Sequence, residues 1–182
     1  MTENKVCHIL MLEDMDNDVE LIKRAAKKAI PTAVFNVAKT KEEFLEKLNW
    51  GVPNVILSDY NIPGYSGLEA MYHVRSIHAH IPFIFVTGML DDEEKVAKAI
   101  LAGASGYVLK DKLNTLADVL HAVLKTSEAR YAKEEEERNR IRGAKLKLQK
   151  INALLEQADL ADSNKDAIMR LVTEVQENLI LA

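Results

Sequence analysis

The sequence has a single cysteine, no long hydrophobic run, no large excess of one charge and no histidine after position 121. Cys7 alone cannot close an intrachain disulfide or supply a thiolate metal site, and its apolar neighbours predict an inert, buried thiol. No window approaches the ~18 apolar residues of a membrane span, and Met1 to Lys5 lack the basic start of a signal peptide. The expectation is a cytoplasmic chain without a membrane partner. Acidic side chains number 28 and basic ones 24, a formal charge of −4, which argues against wholesale binding to a phosphate backbone. What is present is 182 residues, 48% hydrophobic and 29% charged, enough for a folded domain and an appendage.

From Val6 to about Lys125, short apolar runs alternate with amphipathic stretches. The runs are Val6 to Leu12, Val34 to Val37, Val55 to Leu57, Phe83 to Val86 and Tyr107 to Leu109. Unbroken apolarity of strand length suits strands covered by helices on both faces, hence a parallel sheet. Helical spacing follows each run: Val19, Ile22, Ala26 and Ala29; Phe44, Leu45 and Leu48; Leu68 to Ile77; Val96 to Leu101; and Leu116, Val119, Leu120 and Val123. Asp16, Asn17 and Asp18 are read as an N-cap and a dipole-matched first turn. The acidic cluster Asp91 to Glu94 opens the fourth helix, and Gly103 closes it. Strict alternation of five strands and five helices predicts an α/β fold, a doubly wound five-stranded parallel sheet with its site at the carboxyl ends of the strands.

Residues 1–125 form this first domain, and 126–182 read differently. Glu134 to Glu137 precede six basic and no acidic residues from Arg138 to Lys150. Glu134 with Arg138 and Glu136 with Arg140 suit i,i+4 pairing, worth ~0.3 to 0.5 kcal/mol each, so a long exposed helix continues the fifth. Ile141, Ala144, Leu148, Ile151, Leu155 and Ala158 fit one a/d register, as in a coiled coil. After the polar break at 159–164, Ile168, Leu171, Val172, Val175 and Leu179 mark a second amphipathic stretch, with Ser163 and Asp166 as a capping pair. A two-helix hairpin this small needs a partner to bury its apolar face.

Strands one, three, four and five of the first domain each end in a polar residue that a buried run does not need. These are Glu13 and Asp14, Asp59, Thr87 and Lys110. Parallel strands bring such ends to one edge, where three carboxylates repel one another unless a cation holds them. Hard oxygen ligands in an open, water-rich pocket suit Mg2+ best.

The acidic pair in Ile9 to Asp14, the segment Leu57 to Gly67, Val86-Thr87-Gly88 and Gly106 to Lys110 together resemble the receiver domain of two-component response regulators. The resemblance covers residues 5–125 and implies a flavodoxin-like sheet of order 2-1-3-4-5. It implies that Asp59 accepts a phosphoryl group from a histidine kinase or phosphotransfer protein. Asp14, Asp59 and the backbone carbonyl of Asn61 would hold Mg2+, with Glu13 reaching it through water. Lys110 and the Thr87 hydroxyl would bind phosphoryl oxygens, and Tyr107 would be the aromatic that turns inward when Thr87 moves. Asn61 and Met89 would tune dephosphorylation, apolar Met89 being unable to orient a hydrolytic water. Asp111 follows Lys110 where many receivers have proline, which leaves the geometry of that loop open.

Such a chain is a phosphoacceptor signalling domain rather than an enzyme, able to catalyse its own phosphorylation and dephosphorylation. An aspartate-nucleophile phosphohydrolase would place a second carboxyl two residues after the nucleophile, and Asn61 stands there instead. The two helices after residue 125 are too few and too simply patterned for a helix-turn-helix reader, which argues against DNA as the partner. Basic e and g positions disfavour a simple parallel coil, so the expectation is a homodimer through a four-helix bundle of two hairpins. The alternative is an N-terminal fragment of a larger sensor or hybrid signalling protein.

Overall fold

The computed structural model describes residues 6–88, 93–157, 166 and 168–175. The chain runs β1 (His8–Leu12), α1 (Asp16–Ala29), β2 (Val34–Ala38), α2 (Lys41–Trp50), β3 (Val55–Ser58), β4 (Asn61–Ile62), β5 (Tyr65–Ser66), α3 (Gly67–Ile77), β6 (Phe83–Thr87), α4 (Glu93–Leu101) and β7 (Gly106–Leu109). A 3-10 turn (Lys110–Thr115) then leads into α5 (Leu116–Gln157). Five parallel strands form one sheet in the order β2-β1-β3-β6-β7. Numbered among themselves, these five strands have the expected order 2-1-3-4-5.

Why the strands read as unbroken apolar runs is visible in their packing. Alternate side chains leave a strand on opposite faces. Leu10, Leu12, Ile56, Phe83 and Phe85 bury against Phe44 and Leu48 of α2, Met71 and Val74 of α3, and Ala99 of α4. Ile9, Met11, Val55, Leu57, Ile84 and Val86 bury against Val19 and Ile22 of α1 and Leu116 and Leu120 of α5. Both faces are therefore dry, and a one-residue slip would exchange two complete sets of contacts.

Local chemistry sets the helix starts. Thr40 caps α2 by accepting from the Glu43 N–H at 3.3 Å, while Glu43 Oε2 accepts from the Lys39 N–H at 2.9 Å. Ser66 and Glu69 form a reciprocal capping box on α3, at 3.2 and 2.9 Å. Helix α1 departs from expectation: its N-cap is Met15, with no side-chain cap, so Asp16 and Asp18 lie inside the first turn, where they complement the dipole rather than cap the helix. Cys7 is half-buried rather than buried, because β1 begins one residue later, at His8.

The chain divides into two compact units after Glu128, and α5 is continuous through that point. The expected i,i+4 ion pairs on α5 are replaced by i,i+3 pairs, Arg138 with Glu135 at 3.5 Å and Arg140 with Glu137 at 2.5 Å. Three residues advance a helix by less than one turn and four by slightly more, so both spacings are accessible to these side chains. In the second unit Ile141, Gly143, Ala144, Leu148 and Asn152 are half-buried, and residues 168–175 are helical with Val172 buried. Ser163 of the expected capping pair, the break at 159–164, Ala158 and Leu179 lie outside the described residues. No helix among the described residues is long and apolar enough to cross a membrane.

Candidate functional site

The carboxyl edge of the sheet gathers the strand-end residues. Glu13 follows β1, its N–H extending the ladder to Ala38 O at 3.0 Å. Asp59 follows β3, its N–H reaching Leu12 O at 2.9 Å. Thr87 closes β6 opposite Leu109 of β7, and Lys110 comes next in the chain. Carboxylate oxygens of Glu13, Asp14 and Asp59 all lie within 4.8 Å of one another, the only such acidic, histidine or cysteine group among the described residues.

Lys110 is the cation at the centre of this cluster. Its Nζ lies 2.8 Å from Asp59 Oδ2, 2.7 Å from Glu13 Oε2 and 2.6 Å from Asp18 Oδ2. The contact with Glu13 is an ion pair set at an angle unsuited to hydrogen bonding, whereas Lys110 donates to Asp59 and Asp18. Burial alone would disfavour the ammonium, but the nearby carboxylates of Asp18, Asp59 and Glu13 together push its pKa well above the ordinary lysine value. Burial dominates at Glu13 and raises its pKa, with Lys110 pulling it only partly back. Glu13 is wholly buried, and the N–H of Met15 donates to its Oε1 at 3.2 Å.

Asp59 is held from its other side by backbone. Its Oδ1 accepts from the Tyr60 N–H at 2.5 Å and, at the long limit of 3.4 Å, from the Asn61 N–H. The chain then makes a two-stranded antiparallel ribbon, β4 with β5, and Gly64 in the left-handed region (φ 73°) turns it. The ribbon delivers Gly67 to the site, where its N–H donates to Tyr60 O at 2.9 Å. Gly67 matters through close approach rather than through turning, since a Cβ there would lie 2.2 Å from the Asp59 carbonyl oxygen.

Asp14, Asp18, Asp59, Asn61, Thr87 and Lys110 line an open depression of about 600 Å³. The Thr87 hydroxyl is buried and makes no hydrogen bond among the described residues. Tyr107 sits on β7 opposite Phe85 of β6, half-buried beside the cluster under α2 to α4. Met89 lies outside the described residues. The segment after Lys110 contains no cis peptide bond and is itself the 3-10 turn, with Asp111 inside it.

One member of the site was not singled out in the sequence for this role. Asp18 stands on the first turn of α1, and the run of acidic residues Asp14, Asp16 and Asp18 directly after β1 was the available signal. Its partner is 92 positions away, so only the closed sheet reveals the pair.

The family model for the response regulator receiver domain matches residues 9–121. The nitrate/nitrite response regulator NarL of Escherichia coli is 31% identical over 113 residues, 61% of this chain and 51% of that protein, so the chain spans about half its length. A CheY-like response regulator receiver domain protein from Methanospirillum hungatei superposes with a TM-score of 0.62 at 22% identity, covering 69% of this chain and 99% of that one. A fusion carrying the trimeric coiled coil of yeast Spc42 superposes with a TM-score of 0.64 at 24% identity, covering 98% and 99%. This chain belongs to the response regulator receiver domain family.

Proposed function

We propose that the chain is the phosphoacceptor of a two-component system, taking a phosphoryl group on Asp59 from a histidine kinase or phosphotransfer protein. The observation that carries this reading is the company Asp59 keeps: a lysine 2.8 Å from its carboxylate and a buried, unpaired threonine hydroxyl in the same depression. A carboxylate oxygen attacks phosphorus, the P–N bond of the phosphohistidine breaks, and the imidazole nitrogen keeps the electron pair and takes a proton. The product is an acyl phosphate. Lys110 turns from the Asp59 carboxylate to a phosphoryl oxygen. The Thr87 hydroxyl donates to another, which gives it the partner it lacks.

The acidic cluster supports Mg2+ as cofactor, because its oxygens converge and one lysine cannot neutralise three carboxylates and an incoming phosphoryl group. Glu13, Asp14, Asp59 and the Asn61 carbonyl are the residues that would hold it. Bound there, the ion would offset charge on the phosphoryl oxygens. Movement of Thr87 toward the phosphoryl group frees space that Tyr107, on the neighbouring strand, enters. Asn61 and Met89 set how fast water removes the group, and Asn61 in place of a second carboxyl favours a signalling domain over a phosphohydrolase.

The chain acts as a cytoplasmic homodimer through its C-terminal helices. In the second unit Leu146 is 62% exposed and Leu171 62%, and Ile168, Leu171 and Val175 recur at helical spacing on an exposed face. Light scattering gives the dimer mass, and Leu171→Lys returns it to monomer. The phosphoryl reading is tested by intact-mass spectrometry after incubation with acetyl phosphate. The wild type gains one phosphoryl group in Mg2+ and none in a chelator, and Asp59→Asn gains none in either. A gain that survives Asp59→Asn would overturn it.

A further inference from the structure

We infer that Asp18 is a positioning residue for phosphoryl transfer, acting through Lys110. Lys110 meets three carboxylates: it donates to Asp59 at 2.8 Å and Asp18 at 2.6 Å, and pairs by charge alone with Glu13 at 2.7 Å. Of the three, Asp18 belongs neither to the strand ends nor to the cluster of converging oxygens. It stands on the first turn of α1, a helix anchored by buried Val19, Ile22, Ala25 and Ala26. Its carboxylate is partly exposed at 31%, whereas the Lys110 side chain is 16% exposed, so Asp18 holds the ammonium from the solvent side.

The consequence follows from the donors available. When a phosphoryl group forms on Asp59, one N–H of Lys110 must turn to a phosphoryl oxygen. A lysine head on four rotatable bonds carries rotamer entropy that favours its release from the pocket at that moment. The bond to Asp18 is made to a carboxylate that takes no part in the transfer, so it persists while the Asp59 contact is exchanged. Asp18 thus fixes the ammonium over the reacting carboxylate before the donor arrives.

This inference rests on the phosphoacceptor reading, and the experiment separates the two. Rates of Asp59 phosphorylation by acetyl phosphate are measured at saturating Mg2+ for wild type, Asp18→Ala, Asp18→Asn, Lys110→Ala and the Asp18→Ala, Lys110→Ala double variant. Circular dichroism melts confirm that each is folded. Asp18→Ala is expected to slow the reaction by about tenfold, and Asp18→Asn, whose amide oxygen still accepts, by clearly less. In the Lys110→Ala background, Asp18→Ala changes nothing further. Equal slowing in both backgrounds would show that Asp18 acts elsewhere, and no slowing in either would show that it does not act; each overturns the inference while leaving the phosphoacceptor reading intact. A wild type that takes no phosphoryl group overturns both.

Discussion

Replacing Gly67 by alanine is the sharpest steric test of how the site is built. The added Cβ would lie 2.2 Å from the Asp59 carbonyl oxygen, 2.8 Å from Ser58 Oγ and 3.0 Å from Phe85 Cε1. The worst obstacle is backbone, which cannot rotate aside as a side-chain tip can. The start of α3 and the turn after β3 must separate by at least about 0.8 Å to restore a 3.0 Å contact. That movement also strains the Gly67 N–H bond to Tyr60 O. Overpacking costs about 1 to 3 kcal/mol, and a backbone obstacle puts this case at the upper end. A loss of about 3 kcal/mol shifts the urea midpoint by roughly 1.5 M for a slope of about 2 kcal/mol/M. Gly64→Ala is the control: nothing lies within 4 Å of its Cβ, and only the left-handed backbone at φ 73° opposes it. It costs about 1 to 2 kcal/mol. Urea unfolding followed by circular dichroism measures both. A Gly67→Ala protein within 1 kcal/mol of wild type, or less destabilised than Gly64→Ala, would refute the close-approach argument.

Thr87→Val removes a buried hydroxyl without a partner among the described residues, so it stabilises the resting protein by about 1 kcal/mol while weakening beryllofluoride binding; thermal melts and calorimetry read the two effects. Ser66→Ala deletes half of the α3 capping box and lowers stability by about 1 kcal/mol, measured as a shift in urea midpoint at constant slope. Glu13 has a raised pKa in the folded chain, so the native state binds a proton more readily than the unfolded chain between the ordinary value and the raised one. In chelator, wild-type stability therefore falls relative to Glu13→Gln as pH rises through that window and runs parallel to it above. A wild type that instead gains on the glutamine variant as pH rises there contradicts the assignment.

How much of this was legible in the sequence depends on the range of the interaction concerned. The sheet was legible because burial on both faces leaves an unmistakable pattern in runs such as Phe83 to Val86. The site was legible at Glu13, Asp14, Asp59, Thr87 and Lys110 because parallel topology converts a polar residue at each strand end into a shared edge. The β4/β5 ribbon was not, since two residues per strand are too few to show a period. Asp18 was read as a dipole partner, which is true of its sequence position, but its bond to Lys110 exists only once β7 lies in the sheet. The requirement at Gly67 is for space, and that space is defined by the Asp59 carbonyl and by Ser58 and Phe85 on β3 and β6, which no local pattern around Gly67 shows.

The central claim is that the acidic cluster, Lys110 and Thr87 form one phosphoryl-binding site on Asp59. Calorimetric titration with beryllofluoride, which stands in for the phosphoryl group, tests it most directly. The account predicts one site per chain in Mg2+, no binding in chelator and none to Asp59→Asn. Binding that persists without Mg2+ or without the Asp59 carboxylate would contradict it.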